Sequence, residues 1–201
     1  MTNPAAIVLA SASPRRRRLL EEARVSFEVV PAEVEETPLP GEDPAAFAAR
    51  MATDKGTSVA IRLAADDRRP WVVAADTVVT LDGGIMNKPK DADEAASMLR
   101  RLSGRTHTVL TAFVVGRADD RWLAETCATQ VRFHELTDGE IAAYVATGEG
   151  ADKAGAYAIQ EIGAFLVDRI DGDYFNVVGL PVSRVLRALV AAGAVPSFPL
   201  P

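Results

Sequence analysis

Trp71-Val72-Val73-Ala74-Ala75-Asp76-Thr77-Val78-Val79-Thr80 is apolar on both faces and rich in β-branched residues, the pattern of a central strand. Upstream, residues 6–10 read as a second buried strand that runs into a Ser-Pro helix start, and Phe27 to Val30 as a third. Helices are expected over 14–23, with Leu19, Leu20 and Ala23 inward, and from Asp43-Pro44 to about Leu63. The second has Phe47, Met51, Val59 and Leu63 as core contacts and Lys55 in its middle. Downstream, Asp82-Gly83-Gly84 is a turn and Asn87-Lys88-Pro89 an exposed loop. Asp91 and Glu94 form a capping box for a helix to about Leu102, which Gly104 ends. Residues 107–116 and 121–133 read as a hairpin around Ala118-Asp119-Asp120, and Thr137 with Glu140 starts a short helix. Ala156 to Gln160 reads as strand-like, Phe165 to Ile170 more clearly so, and a helix follows Pro181 to about Ala192. Helices alternating with strands, one pair of them a hairpin, indicate an α/β fold: a single domain with a long mixed sheet flanked by helices. That domain is expected over 1–195, with 196–201 as a loose C-terminal tail.

The 201 residues, 48% of them hydrophobic, suffice for one sizeable core. Cys127 is the single cysteine and cannot form an internal bridge, which fits a reducing, cytoplasmic setting. There is no export signal and no apolar run near 18 residues, so no membrane association is expected. Net charge is −6, and aromatics make up 6% of residues with none among the arginines, which argues against nucleic-acid binding. The two histidines, His107 and His134, have no ligand-spaced partners, so a zinc site or a histidine-activated nucleophile is not expected. Any metal should be hard and oxygen-bound, Mg²⁺ or Mn²⁺.

Two features carry chemistry. Ser13 suits an N-cap and Pro14 the first helical position, which puts Arg15 and Arg16 in the first turn, where the helix dipole is already positive. Cations there cost about 0.3–1 kcal/mol each, and an anion such as a polyphosphate would reverse the sign. A solvated helix face with an awkward charge run is the alternative. Asp76 is the second feature, because a carboxylate within an apolar strand is expensive unless a cation, a metal or a proton compensates it. Glu33, Glu35 and Glu36 form an acidic loop that could share a metal with it, or simply be solvated. Lys55, Lys88 and Lys153 are possible phosphate contacts. Gln160 can read a base edge through its amide, with Gly163 nearby permitting close approach to a ligand. His107 reads as structural or surface, and Gly172 and Gly179 as turn requirements.

The order of the motifs resembles the Maf family of nucleoside triphosphate pyrophosphatases over nearly the whole chain. Seven blocks carry it: Leu9-Ala10-Ser11-Ala12-Ser13-Pro14-Arg15-Arg16, Val34-Glu35-Glu36, Ala75-Asp76-Thr77, Asn87-Lys88-Pro89, Leu102-Ser103-Gly104-Arg105-Thr106-His107, Asp152-Lys153-Ala154-Gly155-Ala156-Tyr157-Ala158-Ile159-Gln160, and Ile170-Asp171-Gly172-Asp173-Tyr174 through Asn176-Val177-Val178-Gly179-Leu180-Pro181. The resemblance implies an inosine triphosphate pyrophosphatase-like fold with a cleft between two lobes, and a homodimer. It implies Asp76 as general base, Glu36 and Asp76 on a divalent cation, and Ser11, Ser13, Arg15, Arg16, Lys55 and Lys88 as substrate-binding residues. Arg15, Thr77 and Gln160 match the positions that set base preference. The Asp-Lys-Ala-Gly-Ala-Tyr block looks like the branch acting on dTTP and UTP. Glu161 departs from the pattern, since the family usually has glycine after this glutamine.

The expected reaction is hydrolysis of a nucleoside triphosphate between its α and β phosphates, in a house-cleaning or cell-division-linked role. The rival is a nucleotide-binding regulator of cell division without significant turnover.

Overall fold

The computed structural model describes residues 7–199. The first residue of the expected strand 6–10, the domain's first six residues and the last two of the tail lie outside that range. The chain runs β1 (Ile7–Leu9), α1 (Pro14–Glu22), β2 (Glu28–Val29), α2 (Pro44–Ala65), β3 (Trp71–Leu81), β4 (Gly84–Met86), α3 (Ala92–Leu102), β5 (Thr106–Gly116) and β6 (Leu123–Phe133). It then continues through α4 (Asp138–Ala146), β7 (Val167–Asp171), α5 (Tyr174–Val178) and α6 (Val182–Ala191). One sheet has the order β2-β1-β3-β5-β6-β7, with β4 paired to β3. It is mixed: β1 is parallel to β2 and β3, whereas β3–β4 and β6–β7 are antiparallel. The α/β class and the central place of β3 are therefore as the sequence indicates.

Within this α/β domain the contacts cluster into two compact units. The first takes the described residues up to Asp76, Thr111–Cys127 and those from Gly179 on; the second takes Thr77–Leu110 and Ala128–Val178. Asp76 is thus the last β3 residue of the first unit and Thr77 the first of the second.

In the first unit, Val8, Leu9, Leu20, Met51, Val59, Val72, Val73 and Leu189 are buried. Each fully buried aliphatic of this size contributes about 1.5–3 kcal/mol. Helix α2 starts at Asp43, whose carboxylate accepts from the amides of Ala45 and Ala46, and Pro44 supplies the first helical φ. It crosses the indole of Trp122 at Gly56, where an added Cβ would lie 2.8 Å from the ring and 2.9 Å from Val114. Only glycine permits that approach, and the next residue back along the helix is Lys55.

In the second unit, Leu99, Leu102, Phe133, Ile141, Tyr144 and Leu166 are buried. Thr137 and Glu140 make a complete capping box on α4. At α3 the box is displaced: Asp91 accepts from the Glu94 amide at 2.8 Å, but the Glu94 carboxylate accepts from Lys90, one residue before the cap. Asn176 is fully buried and donates to the Val109 carbonyl and to Thr129 Oγ1, tying α5 to β5 and β6. Gly172 and Gly179 both have positive φ, 133° and 122°.

Two expectations are corrected here. Ala156 to Gln160 is not a strand, because Gly155 and Ala156 take φ of 72° and 61° and close a 3-10 turn over Ala154–Ala156. Phe165 and Leu166 belong to a second 3-10 stretch, Glu161–Leu166, and the strand begins only at Val167.

His107 is buried and structural. Its Nε2 is hydrogen-bonded to the Tyr157 hydroxyl at 2.7 Å, and its ring meets Phe133 edge-on. Burial holds its pKa down, at about 4 against 6.5. Between those values the unfolded chain binds a proton that the folded chain refuses, so stability falls as pH drops from 6.5 towards 4. The full term is about 3 kcal/mol. Urea midpoints from pH 7 to 4.5 should fall more steeply for the wild type than for His107→Gln; parallel curves would refute it.

Candidate active site

Helix α1 begins as its sequence requires, with Ser13 Oγ accepting from the Arg16 amide at 3.4 Å and Pro14 in the first turn. Ser11 Oγ accepts both from the Ser13 amide at 3.2 Å and from Arg16 Nη1 at 3.3 Å. Arg16 Nε donates to the Gly179 carbonyl at 2.8 Å. Buried and gripped at two nitrogens, this guanidinium is held in one orientation. Its pKa is lowered, first by burial, then by neighbouring Arg15; Asp76 and Glu36 act in the opposite sense. Arg15 is half-buried and has no ion-pair partner among the described residues. Arg17 and Arg18 instead pair with Glu21 and Glu22 one turn on, at 2.7 and 2.8 Å. The arginine run therefore divides: Arg16 is buried and held, Arg15 is half-buried, and Arg17 and Arg18 are exposed in ion pairs along the helix.

Asp76, 7% exposed, has the compensating cation its apolar strand demands: Lys55 Nζ lies 2.6 Å from its Oδ1. The same ammonium lies 2.6 Å from Glu36 Oε1. Lys55 is 8% exposed, on the inner face of α2, so two carboxylates share one buried cation. Glu33 and Glu35 stay exposed. The sequence could name Lys55 as a phosphate contact but not as the counter-ion of Asp76. The Gly179 carbonyl behind Arg16 carried no signal either.

The remaining expected residues fall in the second unit. Thr77 is half-buried on β3, and Lys88 is exposed on the loop between β4 and α3. Lys153 is taken up internally, by the Glu149 carbonyl and Asp152. Gln160 is half-buried, outside any helix or strand. Gly163 is required by packing: an added Cβ would lie 2.0 Å from the Ala158 carbonyl oxygen. Glu161 has φ of 54°, a left-handed conformation that glycine adopts without strain. Glu161→Gly should therefore raise stability by about 0.5–1 kcal/mol. A thermal melt checks this, and a lower melting temperature would contradict it.

Fold and side chains together define an α/β protein with an arginine-bearing helix start, charge-coupled to an acid–lysine–acid group. Residues 6–192 match the Maf-like protein family, and the chain belongs to it. It is 51% identical over 189 residues to the dTTP/UTP pyrophosphatase of Geobacter sulfurreducens, covering 94% of this chain and 97% of that one. It is 45% identical over 180 residues to that of Clostridioides difficile, covering 89% and 91%. Among solved structures, the HAM1 protein of Coxiella burnetii covers 94% of this chain and 100% of its own at a TM-score of 0.50 and 15% identity, a likeness of fold alone.

Proposed function

We propose that this protein hydrolyses nucleoside triphosphates, dTTP and UTP foremost, between the α and β phosphates, releasing a monophosphate and pyrophosphate. The observation that carries the reading is the pair of carboxylates, Asp76 and Glu36, gathered on one buried cation and coupled in charge to the oriented guanidinium of Arg16. A protein that only held a triphosphate would need the guanidinium groups and a metal but no base beside them. The names of the relatives, dTTP/UTP pyrophosphatases, support the same reaction and substrates.

Asp76 is assigned to orient and deprotonate the attacking water. Ser11, Ser13, Arg15, Arg16, Lys55 and Lys88 are assigned to the phosphates. Arg15, Thr77 and Gln160 are assigned to the base on the resemblance, since a glutamine amide can meet the imide face of a pyrimidine. Asp76 and Glu36 also fit Mg²⁺ or Mn²⁺: both are hard oxygen donors, and they already converge on the Lys55 ammonium as a stand-in cation. No group of three or more His, Cys, Asp or Glu that could hold a metal occurs among the described residues, so substrate oxygens would complete the shell. When bound, such an ion neutralises phosphate charge.

A homodimer is part of the proposal, supported by the resemblance and by the exposed Phe165, Tyr174 and Phe175. Among the described residues no helix is long and apolar enough to cross a membrane. A cytoplasmic setting suits Cys127, a buried single cysteine that forms no disulfide.

The test is a panel of standard and modified triphosphates with Mg²⁺ or Mn²⁺, assaying pyrophosphate and orthophosphate separately. Pyrophosphate as first product, fastest with dTTP and UTP, is the expected result. Orthophosphate first, or tight dTTP binding without turnover, would overturn it.

A further inference from the structure

Gln160 lies outside every strand, immediately before the 3-10 stretch Glu161–Leu166, and side chains from elsewhere in the second unit help to fix its backbone. Two residues on one side of it, the Ala158 amide donates to the hydroxyl of Tyr144 at 3.0 Å. Two and three residues on the other, the amides of Ile162 and Gly163 both donate to the carboxylate of Glu149, at 3.1 and 2.8 Å. The two anchors are neighbours: a Cβ built on Gly163 would meet Tyr144 Oη at 2.8 Å and Glu149 Oε2 at 2.9 Å, besides the Ala158 carbonyl oxygen. The chain from Ala158 to Gly163 is thus pinched shut at its ends, with Gln160 and the left-handed Glu161 in the part that bulges between. Glu149 is itself fixed, because its carbonyl accepts from Lys153 Nζ and its amide donates to Thr147 Oγ1. Farther back along the segment, Tyr157 is tied to His107, and the Gly155 amide donates to the Asn87 carbonyl.

We propose that Glu149 is a positioning residue for base selection: its carboxylate clamps the Gln160 loop so that the glutamine amide is presented in one orientation to a pyrimidine imide. The inference rests on the assignment of Gln160 to the base. A carboxylate accepting two backbone amides is a charge-assisted clamp. Discrimination of this kind is sensitive to position, since a polar group aimed to meet one hydrogen-bonding edge rejects another only while its own orientation is fixed. Uracil and cytosine differ at that edge, an imide in one and an amidine-like face with an amino group in the other.

The experiment compares kcat and KM for UTP and CTP in the wild type, Glu149→Ala, Gln160→Ala and the double variant. Glu149→Ala should lower the UTP-to-CTP ratio of kcat/KM by about fivefold or more, through the KM for UTP more than through kcat. In the Gln160→Ala background the same change should leave the ratio where Gln160→Ala put it, which a merely structural role would not produce. If Gln160→Ala collapses the ratio and Glu149→Ala does not, or if Glu149→Ala slows both substrates in parallel, the positioning role is wrong while the base assignment stands. If Gln160→Ala leaves the ratio unchanged, the base assignment fails and the inference falls with it. Should Glu149→Ala not fold, Tyr144→Phe releases the other end of the clamp and must lower the ratio in its place; an unchanged ratio there also overturns the proposal.

Discussion

Asp76→Asn should lose at least about 10²-fold in kcat, the usual lower end for removing a general base, while its thermal stability stays close to that of the wild type. The amide keeps the shape of the carboxylate within β3, so no cavity opens beside the apolar neighbours Ala75 and Val78. The Lys55 ammonium is not stranded, because Glu36 Oε1 lies as close to it as Asp76 does, 2.6 Å in each case. Structure therefore survives with one carboxylate, and the chemistry does not. A pre-steady-state assay of pyrophosphate release, run beside a melting curve, separates the two effects. Near-normal turnover would remove Asp76 from the mechanism, and parallel loss of melting temperature and activity would recast it as a structural acid.

Much of the fold could be read in the sequence, because burial on both faces leaves a plain trace. Residues 71–80 have it, and the observed strand runs from Trp71 to Leu81 at the centre of the sheet. Helix starts were equally legible, since Ser13-Pro14 and Asp43-Pro44 state their caps in adjacent letters. The segment Ala156–Gln160 misled because its apolar residues mimic a strand, while the deciding quantity, the positive φ of Gly155 and Ala156, is set by packing. Lack of a printed pattern also hid β4, three residues that pair with β3 only because the turn after Leu81 folds them back. Within the candidate site, the need of Asp76 for a compensating cation, metal or proton followed from its neighbours in sequence, and the structure supplies a cation. Which of the three, and from which residue, did not, because Lys55 lies 21 residues away on a helix whose approach depends on Gly56 passing under Trp122. The arginine run was legible as an anomaly but not as a division of labour, since only the helix turn decides that Arg17 and Arg18 find Glu21 and Glu22.

Lys55→Met should have the opposite profile to Asp76→Asn, losing stability as well as activity. The methionine fills the volume of the lysine stem but leaves the Asp76 carboxylate, 7% exposed, without the cation that compensates its desolvation. Breaking a buried pair from one side costs about 3–5 kcal/mol, and the value here should fall towards the lower end. Arg16 still faces Asp76 with a favourable charge, and Glu36, with its side chain 46% exposed, can turn to water. Adding Asp76→Asn to Lys55→Met removes the stranded charge, so the double variant should regain most of the lost stability and none of the activity. Urea denaturation of the two single variants and the double variant measures that coupling directly. If Lys55→Met is as stable as the wild type, the ammonium is not what makes Asp76 tolerable in β3. If the double variant is less stable than Lys55→Met alone, the carboxylate is held by contacts other than this pair.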